Sequence, residues 1–295
     1  MTEHESIWSD LQGVPFSQGY LNAGGVRTRY LHAGDPGLPA LMLLHGSGGH
    51  AEAYVRNLEA HAEHFSTWSI DMLGHGYTDK PGHLLEVRHY VDHLMAVLDE
   101  IGAGRARISG ESLGGWVAAW LASEDPGRVA SLQLVAAGGT KANPQVMERI
   151  KNSTLRAVQT DDIDLTRQRL NLLMYDEANV TDELVEIRHR IYHQPDFVKN
   201  VHNLLCLQEM EIRQRNLLRE DRLARISAPT LVVWGHENPF GDIPEAERLH
   251  AAIAGSRLEL FPRCGHWPQH EHHERYNQLS LTFLAEAARP RDPAP

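Results

Sequence analysis

Short apolar runs alternate along this chain with segments of helical period. ALMLLHG, Ala40 to Gly46, is apolar on both faces and stops at a glycine. STWSIDMLGHG, RARISGES, SLQLVAAGG, TLVVWG and SRLELFPRCGH follow in the same manner. Runs without polar alternation suit strands covered on both faces, as in a parallel sheet. Between them, helical period appears over about Leu85 to Ile101, Leu113 to Ser123 and Ala246 to Ile253. Near the start, GYLNAGGVRTRYLHAG reads as a hairpin turning at Ala23-Gly24-Gly25. The alternation predicts an α/β fold with a mostly parallel sheet.

The pattern breaks at 141–218, where no strand is visible and charge rises. Helical segments fill this stretch, and Thr181-Asp182-Glu183 is a helix start. The expected organisation is a first core segment at 1–140, a helical insertion at 141–218, a second core segment at 219–289 and a Pro-rich frayed tail at 290–295.

Composition narrows the function classes. The formal net charge of -11 argues against nucleic acid or an anionic membrane as partner. No run approaches the roughly 18 apolar residues of a membrane span, and the acidic start is not a secretory signal. A cytoplasmic location is the expectation. The two cysteines, Cys206 and Cys264, form no CxxC and suggest neither a disulfide framework nor a zinc site.

Gly110-Glu111-Ser112-Leu113-Gly114 is a G-x-S-x-G between a strand-like run and a small-residue helix. That context exposes a serine hydroxyl on a sharp turn at the top of a sheet. LLHGSGGH, Leu43 to His50, follows another strand and leaves backbone N–H groups facing a ligand. Ser47 N–H and Leu113 N–H are the expected oxyanion donors. In RCGHWPQHEHHERYN, His266 follows the last predicted strand and can take the Ser112 proton. His270, His272 and His273 sit among charges and lack the spacing of a second ligand group. They are read as a solvated face, not as a metal site.

On the residues HGSGG, SIDMLGHGYTDKP, GESLGGW, DELVEIRHRIYHQPDFVKN and CGHWPQHEHHERYN, the chain resembles the α/β-hydrolase superfamily over nearly its full length. Within it, the chain resembles the meta-cleavage product hydrolases, which split carbon–carbon bonds in ring-opened aromatic compounds. The resemblance implies an eight-stranded, mostly parallel sheet with a helical cap, the order Ser, acid, His, no cofactor, a small-molecule substrate and a homo-oligomer as a family expectation. It places Arg188 on the substrate carboxylate and dienolate, with Arg190 an alternative, and Trp267 beside the substrate. Gly46 and Glu111 complete the expected substrate-binding set. Three departures stand out: a short Gly46-Ser47-Gly48-Gly49 loop, Glu111 where the family has asparagine, and Ala53 where a contacting asparagine is usual. A carboxylate at Glu111 would repel an anionic substrate unless protonated or paired with a cation.

The family pattern Trp-Gly-x-x-Asp lands on Asn238. An amide cannot balance an imidazolium, so the acid is sought nearby, first at Asp242, then at Asn238 itself or Glu237. The expected function is a serine hydrolase acting on 2-hydroxy-6-oxo-hexadienoate compounds. A carboxylesterase with the same triad and a catalytically silent binding protein are the competing readings.

Overall fold

The computed structural model describes residues 6–288; the expected tail lies outside them. Eight strands form one sheet: β1 (Phe16–Ala23), β2 (Val26–Ala33), β3 (Ala40–Leu44), β4 (Ser66–Ile70), β5 (Ala106–Glu111), β6 (Val129–Val135), β7 (Thr230–Gly235) and β8 (Arg257–Phe261). Their order is β1-β2-β4-β3-β5-β6-β7-β8. The hairpin β1–β2 and the pair β2–β4 are antiparallel; every later pairing is parallel. The hairpin turns at Gly24 and Gly25, both at positive φ, as the sequence predicts.

The continuous apolar runs are strands, covered on both faces in the interior of the sheet and half-buried at the β8 edge. Every residue of β7 is buried, and β3 is buried from its second residue on. Helices Val87–Glu100 and Leu113–Glu124 cover one face, together with Ile243–Ala252. Helices Val55–Ala62 and His273–Ala287 cover the other. Leu113–Glu124 is apolar around its whole circumference because it is sandwiched between the sheet and neighbouring helices.

Register brings the functional loops to one edge. Leu44 pairs with Gly110, Glu111 with Val135, and Gly235 with Phe261. The chain therefore leaves β3, β5, β7 and β8 at the carboxyl end of the sheet, where open α/β sheets bind ligands. Between β6 and β7 the chain runs through helices Pro144–Gln159, Ile163–Asn171, Asp182–Tyr192, Pro195–Leu204 and Met210–Arg215. Thr181 caps the third by accepting from Leu184 N–H. These helices form a small core of their own around Tyr192, Phe197 and Val201.

The step from β5 into the helix Leu113–Glu124 is a sharp turn. Ser112 sits at φ 52°, ψ -111°, a conformation a residue with a side chain adopts only under constraint. Its N–H donates to Val135 O, and its own carbonyl accepts from Trp116 N–H and Gly138 N–H. Gly114 makes room: a Cβ there would stand 2.2 Å from Leu44 O on the adjoining strand. The neighbour is backbone and cannot swing aside. Gly114→Ala is expected to cost about 3 kcal/mol, as overpacking does, lowering Tm by roughly 5–10 °C for a chain of this size. Calorimetric melting within 1 °C of the parent would refute that account of the elbow.

Candidate active site

Four loops and the inserted helices enclose Ser112. Two spaces open on either side of it. One is lined by Leu113, Trp116, Leu207 and Trp234, and also by Arg213 and Glu245. The other is lined by Gly46, Glu111, Arg169, Arg188 and Trp267. Ser112, Ser47, Phe240 and His266 border both. Ser112 thus stands between a largely apolar lobe, which also holds Arg213 and Glu245, and a charged lobe with Arg169, Arg188 and Glu111, and the helices between β6 and β7 wall each.

The loop after β3 is held by buried polar side chains. His45 Nδ1–H donates to Gly46 O, and its Nε2 accepts from Met72 N–H at 3.0 Å. Both nitrogens being used fixes the neutral tautomer, and burial holds its pKa well below the ordinary value. Behind the loop, Arg29 contacts Glu52 at 2.5 Å and Asp71 at 3.3 Å, and Glu52 accepts from His50 at 2.7 Å. Ala51 N–H donates to Asp71. A buried guanidinium is here matched by two carboxylates, the arrangement that offsets its desolvation.

His266 arrives from the loop after β8. Its N–H donates to Leu173 O at 2.6 Å, which ties the loop to the inserted helices. Gly265 allows that approach, since a Cβ there would lie 2.5 Å from Leu173 O. Glu271 holds the loop from beneath: its Oε1 accepts from Gly265 N–H and Trp267 N–H, and its Oε2 from Tyr175 N–H. Burial raises the Glu271 carboxyl above its usual value, against the lowering by those N–H donors. Phe240 packs edge-on to the imidazole at 4.9 Å.

The partner of His266 Nδ1 is Asn238 Oδ1, at 2.9 Å. Phe240 N–H donates to the same oxygen, so the amide presents its acceptor to the ring and Nδ1 carries a proton. The expectation that Asp242 folds back as the acid is corrected here. Asp242 caps the helix Ile243–Ala252, accepting from Glu245 N–H, and lies 3.1 Å from Lys141, its side chain 62% exposed. Lys141 beside it holds its carboxyl below the usual range. Pro244 at the start of that helix and the cap bond commit Asp242 to the helix. Glu237 is also engaged elsewhere, accepting from Cys264 N–H at 2.9 Å.

The carboxylate close to His266 is Glu111. Its Oε1 is 3.1 Å from Nε2, an ion-pair distance, with both side chains buried. The approach lacks hydrogen-bond alignment, and neither oxygen finds another donor among the described residues. Gly46 leaves the space Glu111 occupies, a Cβ there falling 2.5 Å from Oε2. The position where the resemblance leads one to expect asparagine thus holds an acid beside the imidazole.

Arg188 is inside the charged lobe. It is 1% exposed, its Nη1 donates to Tyr192 Oη at 3.2 Å, and its guanidinium stands 5.7 Å from the centre of the Trp267 ring. Arg190 faces solvent and pairs with Glu186 one turn away, so it does not share the lobe. The three histidines expected on a solvated face differ among themselves. His270 is buried, its Nε2 meets Asn179 O, and desolvation lowers it to about 3. His272 contacts Arg263 O. Their nitrogens do not converge on one point. Two residues were not singled out from sequence. Arg169 is one of many basic positions on an inserted helix of mixed polarity, and Glu271 lies within a run that looks solvated.

The sequence profile of the α/β hydrolase fold matches residues 39–273. Over 277 residues the chain is 31% identical to the 2-hydroxy-6-oxo-6-phenylhexa-2,4-dienoate hydrolase of Burkholderia cepacia, covering 90% of this chain and 94% of that protein. It is 34% identical over 272 residues to a 2-hydroxy-6-oxononadienedioate/2-hydroxy-6-oxononatrienedioate hydrolase of Burkholderia vietnamiensis, covering 88% and 91%. Among solved structures, the meta-cleavage product hydrolase of Pseudomonas fluorescens superposes with a TM-score of 0.79 at 29% identity, over 91% of this chain and 98% of that one. By the profile match and these identities over nearly the whole chain, the protein is a member of the α/β-hydrolase family and, within it, of the meta-cleavage product hydrolases.

Proposed function

We propose that the site hydrolyses the carbon–carbon bond of a 2-hydroxy-6-oxo-dienoate, with Ser112 as nucleophile and His266 as its base. The observation that carries this reading is the division of the pocket at Ser112. A charged lobe with Arg188 suits the acid end of such a substrate, and a largely apolar lobe with Trp116, Leu207 and Trp234 suits the group beyond the 6-oxo carbon. The enol first becomes a ketone. Ser112 Oγ then bonds to the 6-oxo carbon as His266 takes its proton, and the N–H groups of Ser47 and Leu113 hold the oxyanion. With carbon 5 protonated in that ketone, breaking the bond between carbons 5 and 6 sends its electron pair through the conjugated chain to the carbon-2 oxygen, which takes up a proton and leaves a 2-hydroxy-dienoate. Water then releases the second acid from Ser112. Gly46 and Trp267 line the acid end, where Arg188 grips the carboxylate.

Asn238 holds the Nδ1–H tautomer, and Glu111 supplies the negative charge that the imidazolium needs. In this reading the acid of the triad has moved from the loop after β7 to the residue before the nucleophile. Glu111 is then a positioning residue acting through His266.

Glu111 also motivates the carboxylesterase alternative, because it places a carboxylate in the lobe meant for an anion. Side-by-side assays decide between them. The expected result is decay of the visible absorbance of 2-hydroxy-6-oxo-6-phenylhexa-2,4-dienoate at a kcat/KM at least 10²-fold above that for p-nitrophenyl acetate. Ester turnover with no decay of the ring-cleaved compound would overturn the carbon–carbon reading.

A further inference from the structure

The lobe beyond Ser112 is largely apolar, yet it holds a guanidinium. Arg213, on the helix Met210–Arg215, is 9% exposed and borders the same space as Trp116, Leu207 and Trp234. Its Nε donates to Lys141 O at 3.0 Å, and its guanidinium stands 4.6 Å from the centre of the Trp116 ring. Nη1 and Nη2 have no hydrogen-bond partner among the described residues, and no carboxylate of those residues lies within ion-pair distance. Both nitrogens reach open space, unlike Nε and Nη2 of Arg188, which are sealed.

Glu245, the carboxylate of this lobe, is matched without Arg213. It accepts from Thr140 Oγ1 and lies 3.5 Å from Lys141 Nζ. Arg213 is thus the unmatched charge of the lobe. Burial lowers its pKa to about 10, against the pull of Glu245 in the other direction. A bound anion would restore the charged form. Arg213, Val146 and Glu245 also line a surface groove together with Lys141 and Asn143. The guanidinium therefore stands where the lobe meets solvent, and a charged group can reach it without being fully stripped of water.

We infer that Arg213 determines specificity on the acyl side, by binding a carboxylate at the far end of the group beyond the 6-oxo carbon. A guanidinium grips a carboxylate through paired N–H groups, and Nη1 and Nη2 are free to do so here. An acyl group ending in methyl leaves that charge buried against it without a partner. The inference rests on the functional reading only in taking this lobe as the acyl side.

Matched substrates test it. 2-Hydroxy-6-oxonona-2,4-dienedioate and 2-hydroxy-6-oxonona-2,4-dienoate share one chain and differ at its end, a carboxylate in the first and a methyl in the second. The expected kcat/KM favours the dioate by about tenfold or more, the scale of a charge-assisted hydrogen bond, and most of the difference is in KM. Arg213→Met is expected to bring the ratio to within about threefold of unity, and Arg213→Lys, which keeps the charge, to retain part of it. The ratio is read within one preparation, so a partial loss of folded protein cancels. A ratio near one in the unmodified protein overturns the inference, and so does a ratio unchanged in Arg213→Met. Monoethyl succinate and ethyl butanoate carry the same two acyl groups and repeat the comparison as ester hydrolysis, followed by proton release. Preference between the esters without carbon–carbon cleavage would remove only the functional reading; cleavage of both dienoates at equal kcat/KM would remove this inference alone.

Discussion

Ser112→Ala lowers kcat for the ring-cleaved substrate by roughly 10³- to 10⁶-fold, the range seen when a serine hydrolase loses its nucleophile. The physical ground is the elbow. A non-glycine residue at φ 52° costs on the order of 1–3 kcal/mol, and the fold holds it there with three backbone hydrogen bonds at one residue. That cost is sustained to set one hydroxyl at the boundary of the two lobes. Alanine keeps the backbone and its hydrogen bonds, so Tm should move by less than about 3 °C, an effect within the usual range for removal of one half-buried hydroxyl. Ligand affinity should persist, because Arg188, Trp267 and the apolar lobe are untouched. The combination separates a chemical role from a structural one. Steady-state rates, melting and labelling by a fluorophosphonate probe check it. A variant within tenfold of the parent, or a parent that resists labelling, would remove Ser112 from the reaction.

The legible part of this protein was whatever repeats locally. Apolar runs named the strands from Ala40 onward, because covered strands cannot alternate. The motif around Ser112 and the loop around His266 were legible because tight turns and close approaches demand glycine at particular places. Asp242 failed for a physical reason that sequence only half displays. Pro244 two residues later marks a helix start, and an aspartate before a helix is more readily a cap than a returning loop residue. Arg169 and Glu271 were invisible because their burial comes from packing between the inserted helices and the histidine loop, contacts spanning about a hundred residues. Glu111 was visible, but as an obstacle. Only its position beside His266 Nε2 turns it into a partner.

Glu111→Gln lowers kcat by about 10²- to 10⁴-fold with KM changed less than fivefold. The upper figure is the scale of losing the aspartate in chymotrypsin-type enzymes. Taking the Ser112 proton makes His266 an imidazolium in a buried site, where a dipole compensates charge poorly and a carboxylate well. Asn238 offers only an amide oxygen at 2.9 Å. Asp242 is committed to Lys141 and a helix cap, Glu237 to Cys264 N–H, and Glu271 to three N–H donors. Glu111, 3.1 Å from Nε2, is left to balance the ring. Asn238→Ala should therefore cost less than about thirtyfold, the loss of a tautomer-setting bond whose net neutral hydrogen-bond energy is about 0.5–1.5 kcal/mol. Rescue discriminates position from structure: Asn238→Asp in the Glu111→Gln background restores the charge on the other nitrogen and should recover at least tenfold in kcat. A protein merely unfolded by Glu111→Gln would show no such recovery and a depressed Tm. Near-normal kcat in Glu111→Gln together with an inactive Asn238→Ala would mean that the amide alone supports His266 and that Glu111 takes no part in the proton transfer.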